Sequence, residues 1–227
     1  MVNQLPVSYD NISFDFKVRR FIGGRGVPIA ERHHRWLGSF SPEQKRKLLQ
    51  PWAHMQEKDT YDIAYEHIDR CRAKTQLNQI LYCDMKLYME GDILPKVDRA
   101  SMANSLEVRV PFLNHTLVEY VAGLPHSLKL HGLQTKYLLR RSLRDRLPRG
   151  ILQRGKKGFN MPVAKWLTGP LRPLVEDMLS GERLRRDGLF NADCVQSLLD
   201  DHMQHRSDHR KLLWTLLAFQ LWHDKWT

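Results

Sequence analysis

Cysteine is scarce in this sequence. Cys71, Cys83 and Cys194 are the three in 227 residues, and no two stand at the spacing of a zinc-ligand pair. That excludes a disulfide framework and fits a reducing compartment. Long apolar runs are missing too, since none approaches the roughly 20 residues that span a bilayer. Met1 to Asp10 shows no basic segment followed by an apolar one, so no secretory signal is read there and a soluble, cytoplasmic chain is expected. Acidic residues are outnumbered, 25 Asp and Glu against 36 Lys and Arg, a formal net charge of +11. The excess attracts polyanions, acidic partners or phosphate-bearing ligands without bearing on the fold. Runs of alternating strands, internal repeats and low-complexity tracts are absent as well.

What is present is helical. Residues 1 to 10 read as a loop. Phe14, Val18, Phe21 and Ile22 recur at helical spacing beside Lys17, Arg19 and Arg20, and Gly23, Gly24 and Gly26 break that helix. The run GGRG lacks a preceding strand and the Lys-Ser/Thr of a phosphate loop, so it reads as a connector. Pro28 suits the first turn of a helix carrying Ile29, His33, Trp36 and Leu37, with Gly38 at its C′ position. Ser41-Pro42-Glu43-Gln44 is a capping box that opens a helix to about Leu49. Helical patterns follow at about 60–72 and from Leu77 to Met89. Gly91 is expected to end the second of these, and Asp92 to cap a further helix through Met102. Val110 precedes Pro111, which makes 108–113 extended or irregular. Short helices are predicted at 116–122, 135–147, 161–167 and 171–179, then at 192–204 and in a Trp-rich C-terminal segment. The fold class is mainly α.

Two stretches put charge among apolar and small residues. In the first, Asp98, Arg99, Glu107 and Arg109 alternate with Val97, Met102, Leu106, Val108, Val110, Phe112 and Leu113. Such charges must be paired or must line a wet cleft. They could be mutually satisfied buried ion pairs, or they could shape a site for a charged small molecule, with arginine reading a carboxylate or phosphate through two hydrogen bonds. In the second, Lys156 and Lys157 lie between Gly155 and Gly158. An ammonium there could stabilise charge developing on a phosphoryl or acyl oxygen, or it could belong to a solvated basic loop. Glu90 and Asp92 have no third metal ligand nearby and read as helix-end residues. His202, His205 and His209 read as a solvated helix end rather than a zinc site, because Ser207-Asp208 restarts the helix. The six tryptophans read as core or interface anchors.

These stretches resemble the C-terminal part of the synthetase domain of the asparagine synthase family, the glutamine-hydrolysing kind. The resemblance runs through Arg19-Arg20-Phe21, Arg35-Trp36-Leu37 and Phe40-Ser41-Pro42-Glu43 to Asp92-Ile93-Leu94-Pro95-Lys96-Val97-Asp98-Arg99. It continues through Ser101-Met102-Ala103, Ser105-Leu106-Glu107, Arg109, Pro111-Phe112-Leu113, Lys136 to Arg140 and Lys156 to Pro162, reaching Trp166-Leu167. It implies that the chain over 1–227 is the helical C-terminal lobe of an α/β ATP-pyrophosphatase-type domain whose parallel sheet lies outside it. The implied chemistry is amide formation on aspartate, with ATP and Mg2+ as family requirements and ammonia drawn from glutamine. The lysine of the family's K-x-G-F loop corresponds to Lys156, the expected catalytic residue. Asp98, Arg99, Glu107, Arg109 and Lys157 are expected to bind substrate or shape the site.

The sequence departs from the family in several places. The Ser-Gly-Gly-x-Asp-Ser pyrophosphate loop, the Gly-Asp-Glu-type loop near magnesium and the N-terminal cysteine nucleophile do not occur, and Asn114 stands where an aspartate usually follows Pro-Phe-Leu. The expectation is therefore a fragment, inactive alone and unable to hold ATP and Mg2+. Its partners would be the N-terminal synthetase and glutaminase portions, on the same or a separate chain. The competing reading is a basic helical module for nucleic acid or an acidic partner, although no recognisable nucleic-acid motif collects the basic surplus.

Overall fold

The structure is a computed structural model of the chain and describes residues 7–9, 21–22, 26–54, 61–155 and 161–227. It is mainly helical. Among the described residues the one sheet is a hairpin of two-residue strands, Leu130–His131 paired antiparallel with Gln134–Thr135. The chain divides into two compact units, one formed by Met1–Asp62 with Phe159–Thr227, the other by Ile63–Gly158.

The first unit has its own core. The C-terminal helix Arg210–Trp226 buries Leu212, Leu213, Leu216, Leu217 and Gln220, a stripe at the three- and four-residue spacing that aligns side chains on one helical face. Leu213, Leu216 and Leu217 join one cluster with Leu48, Leu167, Val175, Leu179, Leu184, Phe190, Val195 and Leu199. Helix ends are fixed by local chemistry. The capping box forms, with Ser41 Oγ accepting from the Gln44 N–H at 3.2 Å and Gln44 Oε1 accepting from the Ser41 N–H at 2.9 Å. Asn191 caps the Ala192–Met203 helix by accepting from the Cys194 N–H. Gly188 closes the Gly181–Asp187 helix with φ of 66°, a conformation glycine adopts without steric cost. Gly38 does not behave this way. Its φ is −67°, and the Ile29–Leu37 helix is instead closed by Lys211, whose Nζ donates to the carbonyls of Trp36, Leu37 and Gly38 at 3.4, 2.8 and 3.3 Å.

The second unit is built around a long continuous helix. Gln76–Cys83 is α-helical and Asp84–Ile93 is π-helical, with the Leu94 N–H bonded five residues back to the Met89 carbonyl. The α-helix then resumes over Leu94–Met102. The expected break at Gly91 and cap at Asp92 are therefore corrected. The wider turn carries the backbone through Gly91, and Asp92 pairs with Lys96 one turn on at 3.0 Å. Likewise the predicted 135–147 helix is shorter, Tyr137–Ser142: Lys136 takes a left-handed φ of 56° before it, and Leu143 leaves helical geometry after it, with φ of −102° and ψ of 8°. Burial is sparse in this unit. Among its described residues Ala64 and Cys83 are the buried side chains, while Met102, Leu106, Phe112, Tyr120, Leu133 and Ile151 each exceed half exposure. The basic pattern at Phe14–Ile22 falls mostly outside the described residues; Phe21 and Ile22 are helical and exposed.

Candidate functional site

The segment 98–113 leaves the Leu94–Met102 helix through a tight turn. Ser105 adopts φ of 56°, the Ser105 N–H bonds the Met102 carbonyl and the Leu106 N–H bonds the Ser101 carbonyl. This is the hydrogen-bond pattern that usually puts glycine in the left-handed position. Serine there costs on the order of 1 kcal/mol, so the chain holds some backbone strain where it turns into Leu106-Glu107-Val108-Arg109. Beyond the turn the backbone is irregular until the 3-10 turn Pro111–Leu113, as the proline predicts.

On this path Glu107 and Arg109 are brought together, with Arg109 Nη2 and Glu107 Oε1 2.5 Å apart. Both side chains are exposed, at 67% and 86%, which overturns the reading of buried ion pairs. Asp98 and Arg99 lie on the preceding helix, are also exposed, and have no ion-pair partner among the described residues. The apolar residues between these charges are exposed as well: Leu106 at 59%, Val110 at 49% and Phe112 at 66%. Charged and apolar side chains of 98–112 are thus alike uncovered and do not lie in a core. Lys156 and Lys157, with the glycine and Phe159 that follow, lie outside the described residues.

A second basic site was not anticipated. Arg140, Arg141 and Arg144 line a cleft of about 390 Å³ with Gln134, Tyr137, Leu152 and Gln153. That size falls within the range of small-molecule sites. Arg140 Nη1 donates to the Leu152 carbonyl at 2.6 Å, and Arg141 Nη1 donates to the Tyr137 hydroxyl at 3.1 Å. The Tyr137 ring stacks on His131 of the hairpin, centroids 4.8 Å apart. A signal was available: Arg140 has no acidic residue three or four positions away, so it cannot be neutralised along the Tyr137–Ser142 helix.

The histidines depart from expectation too. His202 is fully buried and stacks on Tyr9, which also stacks on His205. The Tyr9 hydroxyl donates to the His202 carbonyl, and the His209 N–H donates to His202 Nδ1 at 3.3 Å. Burial drives the His202 pKa down to about 4 and raises that of Tyr9 to about 12. His202 is therefore a neutral core residue and not part of a solvated helix end. The long-range partner Tyr9, 193 residues away, is what local pattern could not supply. Glu90 sits beside Lys86 at 3.8 Å. No three His, Cys, Asp or Glu side chains among the described residues stand together as a metal site, so they offer no ligand set for the magnesium that the resemblance implies. No helix among the described residues is long and apolar enough to cross a membrane.

Comparison with known proteins places this geometry in context. The asparagine synthase family model matches residues 16–224. The glutamine-hydrolysing asparagine synthetase 1 of Bacillus subtilis is 32% identical over 211 residues, covering 89% of this chain and 33% of that protein. Asparagine synthetase 3 of the same organism is 34% identical over 136 residues, 60% of this chain and 21% of that protein. The asparagine synthetase of Gallus gallus is 32% identical over 129 residues, 55% and 20%. The chain thus spans about a third of the length of the first of these relatives. No solved structure matches the chain at a significant level.

Proposed function

The chain belongs to the asparagine synthase family, and from that premise we propose that it supplies the helical part of an ATP-driven amide-forming site. Its second unit would cover, and be covered by, a nucleotide-binding sheet carried elsewhere on the same or another polypeptide. One observation carries this reading. The surface holding Asp98, Arg99, Glu107 and Arg109 also exposes Leu106, Val110 and Phe112. Exposed apolar side chains following so closely along the chain suit a face that another element packs against.

In the assembled site, Arg99 and Arg109 would bind the acceptor carboxylate, aspartate in the first instance, through paired N–H groups. Asp98 and Glu107 would orient those guanidiniums and face the substrate ammonium. In the reaction proposed, a carboxylate oxygen attacks the α-phosphorus of ATP and pyrophosphate leaves. Ammonia then attacks the acyl carbon and AMP leaves with the bonding pair. Lys156 would stabilise the negative charge that develops on the pyrophosphate and on the tetrahedral oxyanion, with Lys157 beside it. The 227 residues contain no Ser-Gly-Gly-x-Asp-Ser loop, so the nucleotide would be held in line by the sheet portion and the chain alone would not turn over.

The test is aspartate-dependent pyrophosphate release, measured for the chain alone and for the chain combined with its own sheet-bearing portion. Release is expected only from the combination and should be abolished by Lys156→Met. Release by the isolated chain would overturn the half-site reading. A combination in which Leu106 to Phe112 gained no protection from hydrogen exchange would overturn the covering role.

A further inference from the structure

We infer that residues 7–9 form a strap latched onto the link between the Ala192–Met203 and Arg210–Trp226 helices, and that uptake of a proton by His202 opens the latch. The first ground is how the segment is held. The Tyr9 ring stacks on both His202 and His205, with centroids 4.6 and 4.3 Å away. Its hydroxyl donates to the His202 carbonyl and lies 3.4 Å from the Ser207 carbonyl. Arg210 Nη2 donates to the Ser8 carbonyl at 3.4 Å, and the same guanidinium is fixed by Asp208 at 2.7 Å. The receiving surface is itself strained. His205 takes a left-handed φ of 57°, a conformation that usually falls to glycine at a helix end, and its ring lies against Tyr9.

The second ground is where the proton must go. His202 Nδ1 accepts from the His209 N–H at 3.3 Å, so the neutral ring carries its hydrogen on Nε2. That atom is buried without a hydrogen-bond partner among the described residues. A second proton can enter only at Nδ1. It would set one N–H against another, end the bond from His209, and leave a cation in a site sealed from water. The charged groups around the ring do not relieve this. Asp208 favours the cation but is held by Arg210, which disfavours it, as does His209. Asp201 is shared between Arg206 at 2.7 Å and His209 at 3.8 Å. Tyr9 is no proton source, because burial raises its hydroxyl to about 12. Withdrawing Tyr9 would admit water to the ring and free the Ser207 carbonyl, which favours the charged form.

The strap is also the easiest part to move. Both helices contribute leucines to the core of the unit, whereas Tyr9 is the single buried residue among 7–9 and stands outside that core. Local openings of this kind need less free energy than global unfolding. With the latch closed His202 stays neutral down to about pH 4, and with water at the ring it should titrate near the ordinary value of about 6.5. The open form therefore takes the proton first, and the open fraction should rise about 60-fold between pH 7 and pH 4.5. The inference does not require the amide-forming reading above.

Native-state hydrogen exchange on the full chain tests it at two amides. The His209 amide loses its acceptor when the latch opens, and the Leu213 amide is bonded to the His209 carbonyl at 3.0 Å within the C-terminal helix. After correction for intrinsic rates, protection at His209 should fall about 60-fold from pH 7 to pH 4.5. That exchange should depend little on added urea, because a local opening exposes little surface, while Leu213 should show the full urea dependence of global unfolding. In His202→Gln, which keeps an acceptor for the His209 N–H, the pH effect at His209 should shrink to less than about threefold. Tyr9→Ala removes the latch outright. Its His202 imidazole, followed by NMR, should titrate above about pH 5.5, with the tryptophan-monitored urea transition still cooperative. Equal urea dependence at His209 and Leu213, or an undiminished pH effect in His202→Gln, would overturn the proposal. So would a His202 that still titrates near 4 in Tyr9→Ala, or loss of the cooperative transition in that variant.

Discussion

Acidification from pH 7 to pH 4.5 should destabilise the first unit through His202. The imidazole is fully buried, and its ordinary pKa of about 6.5 falls to about 4 in the folded protein because burial disfavours the charged form. Asp208 opposes that shift, while His209 and Arg210 reinforce it. Between the two values the unfolded chain binds a proton that the folded chain does not. Stability from this residue is therefore complete above about pH 6.5 and is lost as the pH falls toward 4. The full difference of about 2.5 units corresponds to about 3 kcal/mol, of which about 2.5 kcal/mol should be gone by pH 4.5. All six tryptophans lie in this unit, so urea unfolding followed by tryptophan fluorescence reports on it alone. His202→Gln keeps an acceptor for the His209 N–H and removes the titration. Subtracting its pH profile from the parent's isolates His202 from His209 and from the carboxylates of Asp201 and Asp208 beside it. Equal losses in parent and variant between pH 7 and 4.5, or an imidazole that titrates near 6.5 in the folded protein, would refute the buried-histidine argument.

Leu213→Ala, at a fully buried position, should cost about 3–5 kcal/mol in the same urea assay, whereas Phe112→Ala, at 66% exposure, should cost no more than about 0.5 kcal/mol in the isolated chain. Lys211→Met removes the donor to three helix-terminal carbonyls and should lower the stability of the first unit by about 1–2 kcal/mol. Ser105→Gly relieves a left-handed serine and should stabilise the turn by about 0.5–1 kcal/mol, read as slower hydrogen exchange at the amides of Ser105 and Leu106.

Much of the first unit could be read from sequence because its determinants are local. The capping box needs only Ser41 and Gln44, three residues apart, and the buried stripe of the C-terminal helix is visible in Leu212, Leu213, Leu216 and Leu217. Where the reading failed, the deciding partner was remote or the geometry unusual. Gly38 seemed to close a helix that Lys211 closes from 173 residues away. Gly91 seemed to break a helix that passes through it in π-helical form, where propensity scales set by α-helices have little force. His202 is buried under Tyr9, a partner remote in sequence. The strands of the hairpin are two residues long, too short for alternation to register, and the arginine cleft exists because that hairpin delivers Gln134 beside Tyr137.

The residues that carry the family resemblance most densely, 92–113 and 136–140, sit in the unit with least burial of its own. Scattered exposed apolar side chains are ordinary on any protein surface and need no explanation. Four of those in the second unit fall close together in sequence: Leu106, Val108 and Val110 alternate with Glu107 and Arg109 along one short run, and Phe112 follows. A run that alternates in this way normally turns one set of side chains inward and the other to water. In this chain both sets face outward. Exposed charge there is inexpensive, but the uncovered apolar set forfeits roughly 25 cal/mol for each Å² it could bury. Binding a covering element would recover that energy and at the same time lower the dielectric around Asp98, Arg99, Glu107 and Arg109. Their interactions with a charged substrate would then strengthen. Folding of the second unit and assembly of its charged site would thus be driven by the same contact. The first unit, with its own buried leucines, should hold its stability whether or not that contact forms.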